Sequence, residues 1–289
     1  METTELLKKV RHIEIKARGL SRNIFAGEYH SAFKGRGMAF SEVREYQYGD
    51  DMRDIDWNVT ARYNRPYVKI FEEERELTVM LMIDVSESLG FGSKSVLKRD
   101  MVAEIAATLA FSAMQNNDKI GVIFFTDQIE KFIPPKKGRK HILFIIREIL
   151  GFKPDSSGTD LNMALRYMTN AIKKRCTAFL VSDFIDPDDY KKALQIANSK
   201  HDVVAIQVYD QLSALLYPVG LMKVRDPETG EERWINTSSG KVREVYRNWW
   251  NNLQINMHNA FKQSGVESVS VSTESDYVKL LLQLFHQRR

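Results

Sequence analysis

The chain has 289 residues, of which 43% are hydrophobic and 28% charged, with a formal net charge of +4. That length and apolar content suit one main globular domain with a smaller appendage, and the small, dispersed charge gives no electrostatic case for nucleic-acid binding. The single cysteine, Cys176, excludes an internal disulfide and a cysteine-based zinc site.

The opening Met1-Glu2-Thr3-Thr4-Glu5 lacks the basic start and apolar core of a signal peptide, and no apolar run approaches the roughly 18 to 20 residues of a transmembrane segment. A cytoplasmic location is therefore expected. From Leu6 to about Ile24, apolar positions alternate with Lys8, Lys9, Arg11, Lys16, Arg18 and Arg22. This reads as a basic amphipathic helix or arm. Its expected role is packing on the body, the alternative being peripheral contact with anionic lipid or with an acidic partner surface. The next stretch, to about residue 75, alternates acids and arginines around a Gly49-Asp50 turn and suits a small ion-paired β element.

Leu77 to Ile83 is an apolar run broken only by Thr78, the pattern of a parallel strand buried on both faces, and it ends in Asp84. Leu97, Met101, Val102, Ile105 and Leu109 recur at helical spacing and return the chain to a parallel strand, Ile120 to Phe125, by a right-handed crossover. Ile129 to Ile133, bounded by Pro134-Pro135, reads as an edge strand because proline cannot donate to a ladder. A helix from about Gly138 to Leu150 is expected to close at Gly151, and Asp155 to Asp160 forms a loop before a helix carrying Leu161, Leu165, Met168 and Ile172. Ala178 to Val181 is another buried strand, ending in Ser182-Asp183; Asp186-Pro187 opens a helix to about Asn198; Asp202 to Val208 is a further strand.

The carboxyl-terminal part has a hairpin around Asp226 to Gly230 and then a long helix. That helix carries Val242, Val245, Tyr246, Trp249, Trp250, Leu253, Met257, Ala260 and Phe261 on one broad face expected to pack on the sheet. A strand, Val266 to Val271, and a helix, Tyr277 to Phe285, extend the same sheet. The predicted fold class is α/β, a doubly wound and mostly parallel sheet with a small N-terminal β element and a C-terminal hairpin-helix-strand-helix extension. The expected division is 1–75, 76–215 and 216–289.

In an open α/β sheet, ligands sit beyond the carboxyl ends of the strands, so strand-end residues far apart in sequence converge there. Asp84, Ser86 and Ser88, then Thr159, then Asp183 are placed to do so. Their carboxylates and hydroxyls are hard oxygen donors, suited to one Mg²⁺, with Mn²⁺ or Ca²⁺ as alternatives. Neutral hydroxyl ligands offset the ion's charge only in part and leave it electrophilic toward an added carboxylate. The plain alternatives are that Asp84 and its serines cap a helix or make a turn, and that Thr159 is an N-cap. Asp127 also ends a strand but lacks a hydroxyl-rich loop. Gly90 to Ser95 lacks the spacing of a phosphate-binding loop, and the histidines form no metal-binding or catalytic pair.

The five residues together resemble the metal-ion-dependent adhesion site of von Willebrand factor A domains, with Asp84, Ser86 and Ser88 as its DxSxS element. A second likeness lies upstream. Gly35-Arg36-Gly37-Met38-Ala39-Phe40 continues into Val43-Arg44-Glu45-Tyr46, Gly49-Asp50-Asp51, Arg53, Ile55-Asp56-Trp57 and Ala61-Arg62, then Val68-Lys69, Phe71-Glu72 and Glu74. In order and spacing this resembles the bacterial domain-of-unknown-function family 58 (DUF58), whose block leads into the DxSxS strand. Pro218-Val219-Gly220 and Asp226 to Gly230 fit its carboxyl-terminal part. The resemblance implies a von Willebrand A-like domain associated with MoxR-type AAA+ ATPases. Many members begin with membrane-spanning helices, and this chain departs from them there.

The resulting expectation is a non-enzymatic, metal-ion-dependent protein–protein interaction module. Its partner would be a MoxR-type AAA+ ATPase or a client of one. The alternatives are a metal-dependent phosphoester hydrolase, since a metal with open positions activates water, and a scaffold with a degenerate metal site.

Overall fold

The computed structural model describes residues 3–20, 29, 38–73, 77–90, 97–225 and 230–288. Gly35 to Gly37 and Glu74 of the upstream block, Gly92 to Ser95, and residues 226–229 of the hairpin turn lie outside the described residues. By their contacts the residues form two compact units, 33–76 on one side and 1–32 with 77–289 on the other. The sequence reading grouped residues 1–75 together. The first helix, α1 (Thr3–Leu20), instead belongs to the larger unit.

In the smaller unit, β1 (Met38–Glu45) pairs antiparallel with β2 (Tyr67–Glu73), and the helix α2 (Trp57–Tyr63) lies between them in the chain. Side-chain charges hold the connection. Arg44 grips Asp50 through two bonds of 2.8 and 2.7 Å, and Asp50 also accepts from the Gln47 amide. Asp56 caps α2 by accepting from the amides of Asn58 and Val59. The ion-paired β element expected from the sequence is what forms.

The larger unit is built on six strands. They are β3 (Thr78–Asp84), β4 (Lys119–Phe125), β5 (Ile129–Lys136), β6 (Thr177–Ser182), β7 (Asp202–Tyr209) and β10 (Glu267–Ser272). Their order across the sheet is β10-β7-β6-β3-β4-β5, with β5 alone antiparallel to its neighbour. β3 and β6 lie at the centre, and Val79 to Ile83 are fully buried, as a strand covered on both faces requires.

Between β3 and β4 runs α3 (Lys98–Gln115), and β5 is followed by α4 (Arg139–Gly151). α1 packs on both helices, burying Val10, Ile13 and Ala17, while Lys9 pairs with Asp100 and Glu14 with Arg139. The other face is covered by α5 (Leu161–Ala171), α6 (Lys191–Lys200) and the long helix α8 (Gly240–Ser264), which follows α7 (Gln211–Ala214) and the hairpin β8 (Leu221–Arg225) and β9 (Glu232–Asn236). Leu161, Leu165, Met168, Leu194, Met257 and Phe261 meet Met80, Met82, Phe125 and Leu180 in that layer. α9 (Tyr277–Gln287) lies against β10. The fold is thus a doubly wound, mostly parallel α/β sheet.

β5 is the edge strand expected from its prolines. Its register slips between Ile133 and Lys136, and backbone there presses on Gly121 of β4. A Cβ at Gly121 would stand 2.8 Å from the Ile133 carbonyl oxygen and 2.9 Å from the Pro135 nitrogen.

Three local expectations change. Gly151 does not close α4 as a left-handed cap. It is the last helical residue, Phe152 caps with extended backbone, and Leu6 of α1 packs beside it. Asp186 does not open α6, which begins at Lys191. Its carboxylate accepts from the amides of Asp188 and Leu161, a local turn and a bridge to α5. The stripe on α8 buries Trp250, Met257 and Phe261 but leaves Val245 and Trp249 62% and 44% exposed, so the body covers it only in part.

Candidate metal centre

The site stands at the carboxyl edge of the two central strands. β3 and β6 run parallel in a register that pairs Ile83 with Val181, so Asp84 and Ser182 come next to one another. The Ser182 hydroxyl donates to Asp84 Oδ2 at 2.6 Å, and the Ser86 amide donates to Asp84 Oδ1 at 2.9 Å. Both bonds fix the carboxylate. Beyond it the chain turns through a short 3₁₀ segment, Glu87–Gly90, which sets Ser86 Oγ and Ser88 Oγ 3.1 Å apart. Asp84 and Ser86 are buried and Ser88 half-buried.

After β6, Phe184 adopts a positive φ of 59°, a conformation that is costly for a bulky side chain and recurs where function constrains the backbone. Its amide donates to Ser182 Oγ at 2.9 Å, and its ring is held edge-on by Phe261. The bend places Asp183 in the interior, its Oδ1 accepting from the Ile185 amide. Its Oδ2 accepts from the Lys98 ammonium at 2.9 Å. Lys98 begins α3, and both members of this ion pair are shielded from solvent, at 3% and 4% side-chain exposure.

Thr159 arrives on the loop before α5, where Asp160 is the N-cap, accepting from the Met163 amide at 2.8 Å. Thr159 is therefore not needed as a cap. The loop is pinned at three places. Glu130 accepts from the amides of Asp155 and Ser156, the Glu87 amide donates to the Ser157 carbonyl, and the Asp160 amide donates to the Thr126 carbonyl. Burial alone would raise the Glu130 carboxyl, but the Asp155, Thr126, Ser156 and Gln128 donors outweigh it and hold it below its ordinary range. We expect Glu130→Ala to accelerate hydrogen exchange at the Asp155 and Ser156 amides by about tenfold, the order of one lost bond. Unchanged exchange would mean the loop is held elsewhere.

The structure thus joins Asp84, Ser86 and Ser88 directly and sets Asp183 close enough that its charge acts on Asp84. Thr159 is brought to the same edge through its neighbours, and among the described residues no hydrogen bond joins its hydroxyl to the other four. Burial first, and the Asp183 charge second, push the Asp84 carboxyl up to about 7 against the bonds from Ser182 and Ser86. Asp127, the rival strand-end carboxylate, is exposed beside Gly158.

Among the described residues there is no cluster of three or more His, Cys, Asp or Glu side chains suited to a metal. The donors gathered here are two carboxylates and several hydroxyls, which fit a hard divalent cation that keeps water or takes an outside oxygen. Beside Glu87 of the turn, a depression of about 330 Å³ is lined by Glu87, Pro154, Asp155, Ser156 and Ser157.

Lys98, Ser182 and Glu130 complete the environment and were not singled out by the sequence. Lys98 did leave a signal. A lysine opening a helix meets an opposing dipole, so one that is buried there needs a carboxylate. Ser182 is the residue immediately before Asp183 on a strand already placed beside Asp84. Glu130 left none.

Among relatives, the uncharacterized protein Rv1480 of Mycobacterium tuberculosis is 26% identical over 291 residues, covering 100% of this chain and 92% of its own length. The crystal structure of an aerotolerance-related membrane protein from Bacteroides fragilis superposes with a TM-score of 0.50 at 15% identity, covering 73% of this chain and 99% of that one. The SpRpn10 VWA domain is a looser likeness, with a TM-score of 0.38 at 13% identity over 73% of this chain and 95% of its own. Among the described residues no helix is long and apolar enough to cross a membrane. The family described as "Protein of unknown function DUF58" matches residues 42–253, so the chain belongs to the DUF58 family.

Proposed function

We propose that this protein is a non-enzymatic, cytoplasmic interaction module. It holds a divalent cation, Mg²⁺ foremost, through Asp84, Ser86, Ser88, Thr159 and Asp183, and captures an acidic side chain of a protein partner. The observation that carries this reading is the pair of buried carboxylates at the sheet's carboxyl edge. Asp183 has Lys98 as counter-charge, whereas Asp84 is held by Ser86, through its amide and its side chain, and by the Ser182 hydroxyl, with no basic side chain bonded to it among the described residues. A buried carboxylate in that condition calls for a further cation.

When bound, the ion supplies an electrophilic oxygen-seeking centre. The chain's own residues do the rest. Ser182 and the Ser86 amide orient Asp84, the paired hydroxyls of Ser86 and Ser88 face the turn, and the pinned 155–160 loop carries Thr159. In keeping with the family resemblance, the partner is a MoxR-type AAA+ ATPase or one of its clients, for which the module acts as an adaptor.

Affinity capture from native cytosol with wild-type and Asp84→Ala baits, each in Mg²⁺ and in chelator, tests this. The expected result is a protein retained by wild type in Mg²⁺ and lost in the other three conditions. Equal capture in all four would remove the metal from recognition and move the interface to another surface.

A further inference from the structure

We propose that Lys98 ties cation binding to the arrival of the acidic partner, by making the site one positive charge too rich when the cation is bound alone. The inference rests on the metal-capture reading above and adds the residue that regulates it.

The position is an unfavourable one for a lysine. Lys98 is the first residue of α3, its cap residue Leu97 makes no side-chain capping bond, and its side chain is 3% exposed. A cation there meets the positive end of the helix dipole and has lost most of its water. With Asp183 buried beside it, an apolar side chain here would leave that carboxylate without its counter-charge, so in the metal-free protein the lysine stands where a cation is needed. What the lysine adds is a fixed charge, 2.9 Å from Asp183 and therefore beside the donor set.

The consequence follows from charge balance. With both carboxylates ionised, as a bound cation requires, Asp84 and Asp183 bring two negative charges and Lys98 one positive, so the chain supplies a net charge of about −1 to a divalent ion. Ion and site together are then left at about +1 in a shielded setting, and one added carboxylate brings them to neutrality. Without Lys98 the two aspartates alone would balance the ion, which would bind more tightly and need no partner. Lys98 thereby lowers resting occupancy and makes cation and carboxylate bind cooperatively, and by linkage each raises the affinity for the other by the same factor.

The test is titration calorimetry with Mn²⁺ at pH 8, alone and in the presence of N-acetylaspartate as the carboxylate probe, on wild type, Lys98→Met, Lys98→Gln and Asp84→Asn. In wild type the probe should raise Mn²⁺ affinity, and both Lys98 variants should bind Mn²⁺ alone about tenfold or more tightly than wild type, with the probe's effect largely gone. Two variants of different shape guard against a folding failure in one, and circular dichroism reports whether each is folded. If the folded Lys98 variants bind Mn²⁺ no tighter than wild type, or keep the full effect of the probe, the role assigned to Lys98 is wrong while the metal site stands. If Asp84→Asn binds Mn²⁺ as wild type does, the metal reading itself fails, and the inference with it.

Discussion

Asp84→Asn should abolish divalent-ion binding and, in chelator at pH 8, make the protein more stable than wild type. The two effects have one cause. Asp84 is buried at the end of the central strand, and its carboxyl is raised from an ordinary 3.8 to about 7 by burial and by Asp183. At pH 8 the metal-free fold therefore holds an ionised group that it disfavours, at a cost on the order of 2–4 kcal/mol. The amide keeps an oxygen to accept from Ser86 and removes the charge. The same change deletes the charged donor at the site, and since even outer-shell partners of a metal are worth about 10–100-fold, the loss of affinity should exceed about 100-fold. Chemical denaturation in chelator and Mn²⁺ titration of the same samples check both halves. A variant destabilised in chelator would show Asp84 to be a structural cap, and one that still binds the ion would place the site elsewhere.

The second large effect is on pH. The folded-state value of Asp84 is raised, so the folded protein retains a proton between about pH 4 and 7 that the unfolded chain has released. In that window the unfolded state binds fewer protons, and the stability of the metal-free protein falls as pH rises, levelling above about 7. Cation binding runs the opposite way. Because the ion must displace that proton, its apparent affinity should increase about tenfold per unit from pH 5.5 to 6.5 and flatten between 7.5 and 8.5. Calorimetric titrations at these four values measure the slope. A flat profile throughout would mean that Asp84 is already ionised at pH 5.5 or takes no part in binding.

Much of the fold was legible because its strands are covered on both faces. The runs Thr78 to Ile83, Ile120 to Phe125, Ala178 to Val181 and Asp202 to Val208 carry few polar residues, Thr78, Asp202 and Gln207, and each falls in a strand of the sheet. Helical spacing between them then leaves few topologies. Features decided by contacts distant in sequence were not legible. Gly151 carries a residue type that ordinarily ends a helix, yet its neighbour is Leu6 of α1. Asp186 precedes a proline and reads as a helix start, yet its carboxylate bridges to the Leu161 amide. The apolar stripe of α8 runs the helix's length, whereas the body it packs on covers Met257 and Phe261 and leaves Trp249 44% exposed.

The candidate site divides along the same line. Strand-end residues could be named because an α/β sheet sends its carboxyl ends to one place. What surrounds them could not. Glu130 acts through backbone amides 25 and 26 residues away, and Lys98 meets Asp183 across 85 residues. Lysine is ordinarily solvated, so composition alone assigns Lys98 to the surface.

One cation is expected among Asp84, Ser86, Ser88, Thr159 and Asp183, and an anomalous difference map at the manganese edge, from crystals of the full chain grown in Mn²⁺, would locate it. A single strong peak should stand at the carboxyl ends of β3 and β6, bounded by oxygens of those residues and absent from Asp84→Asn crystals. A peak elsewhere, or a fully occupied Mn²⁺ solution that leaves this position dark, would contradict it.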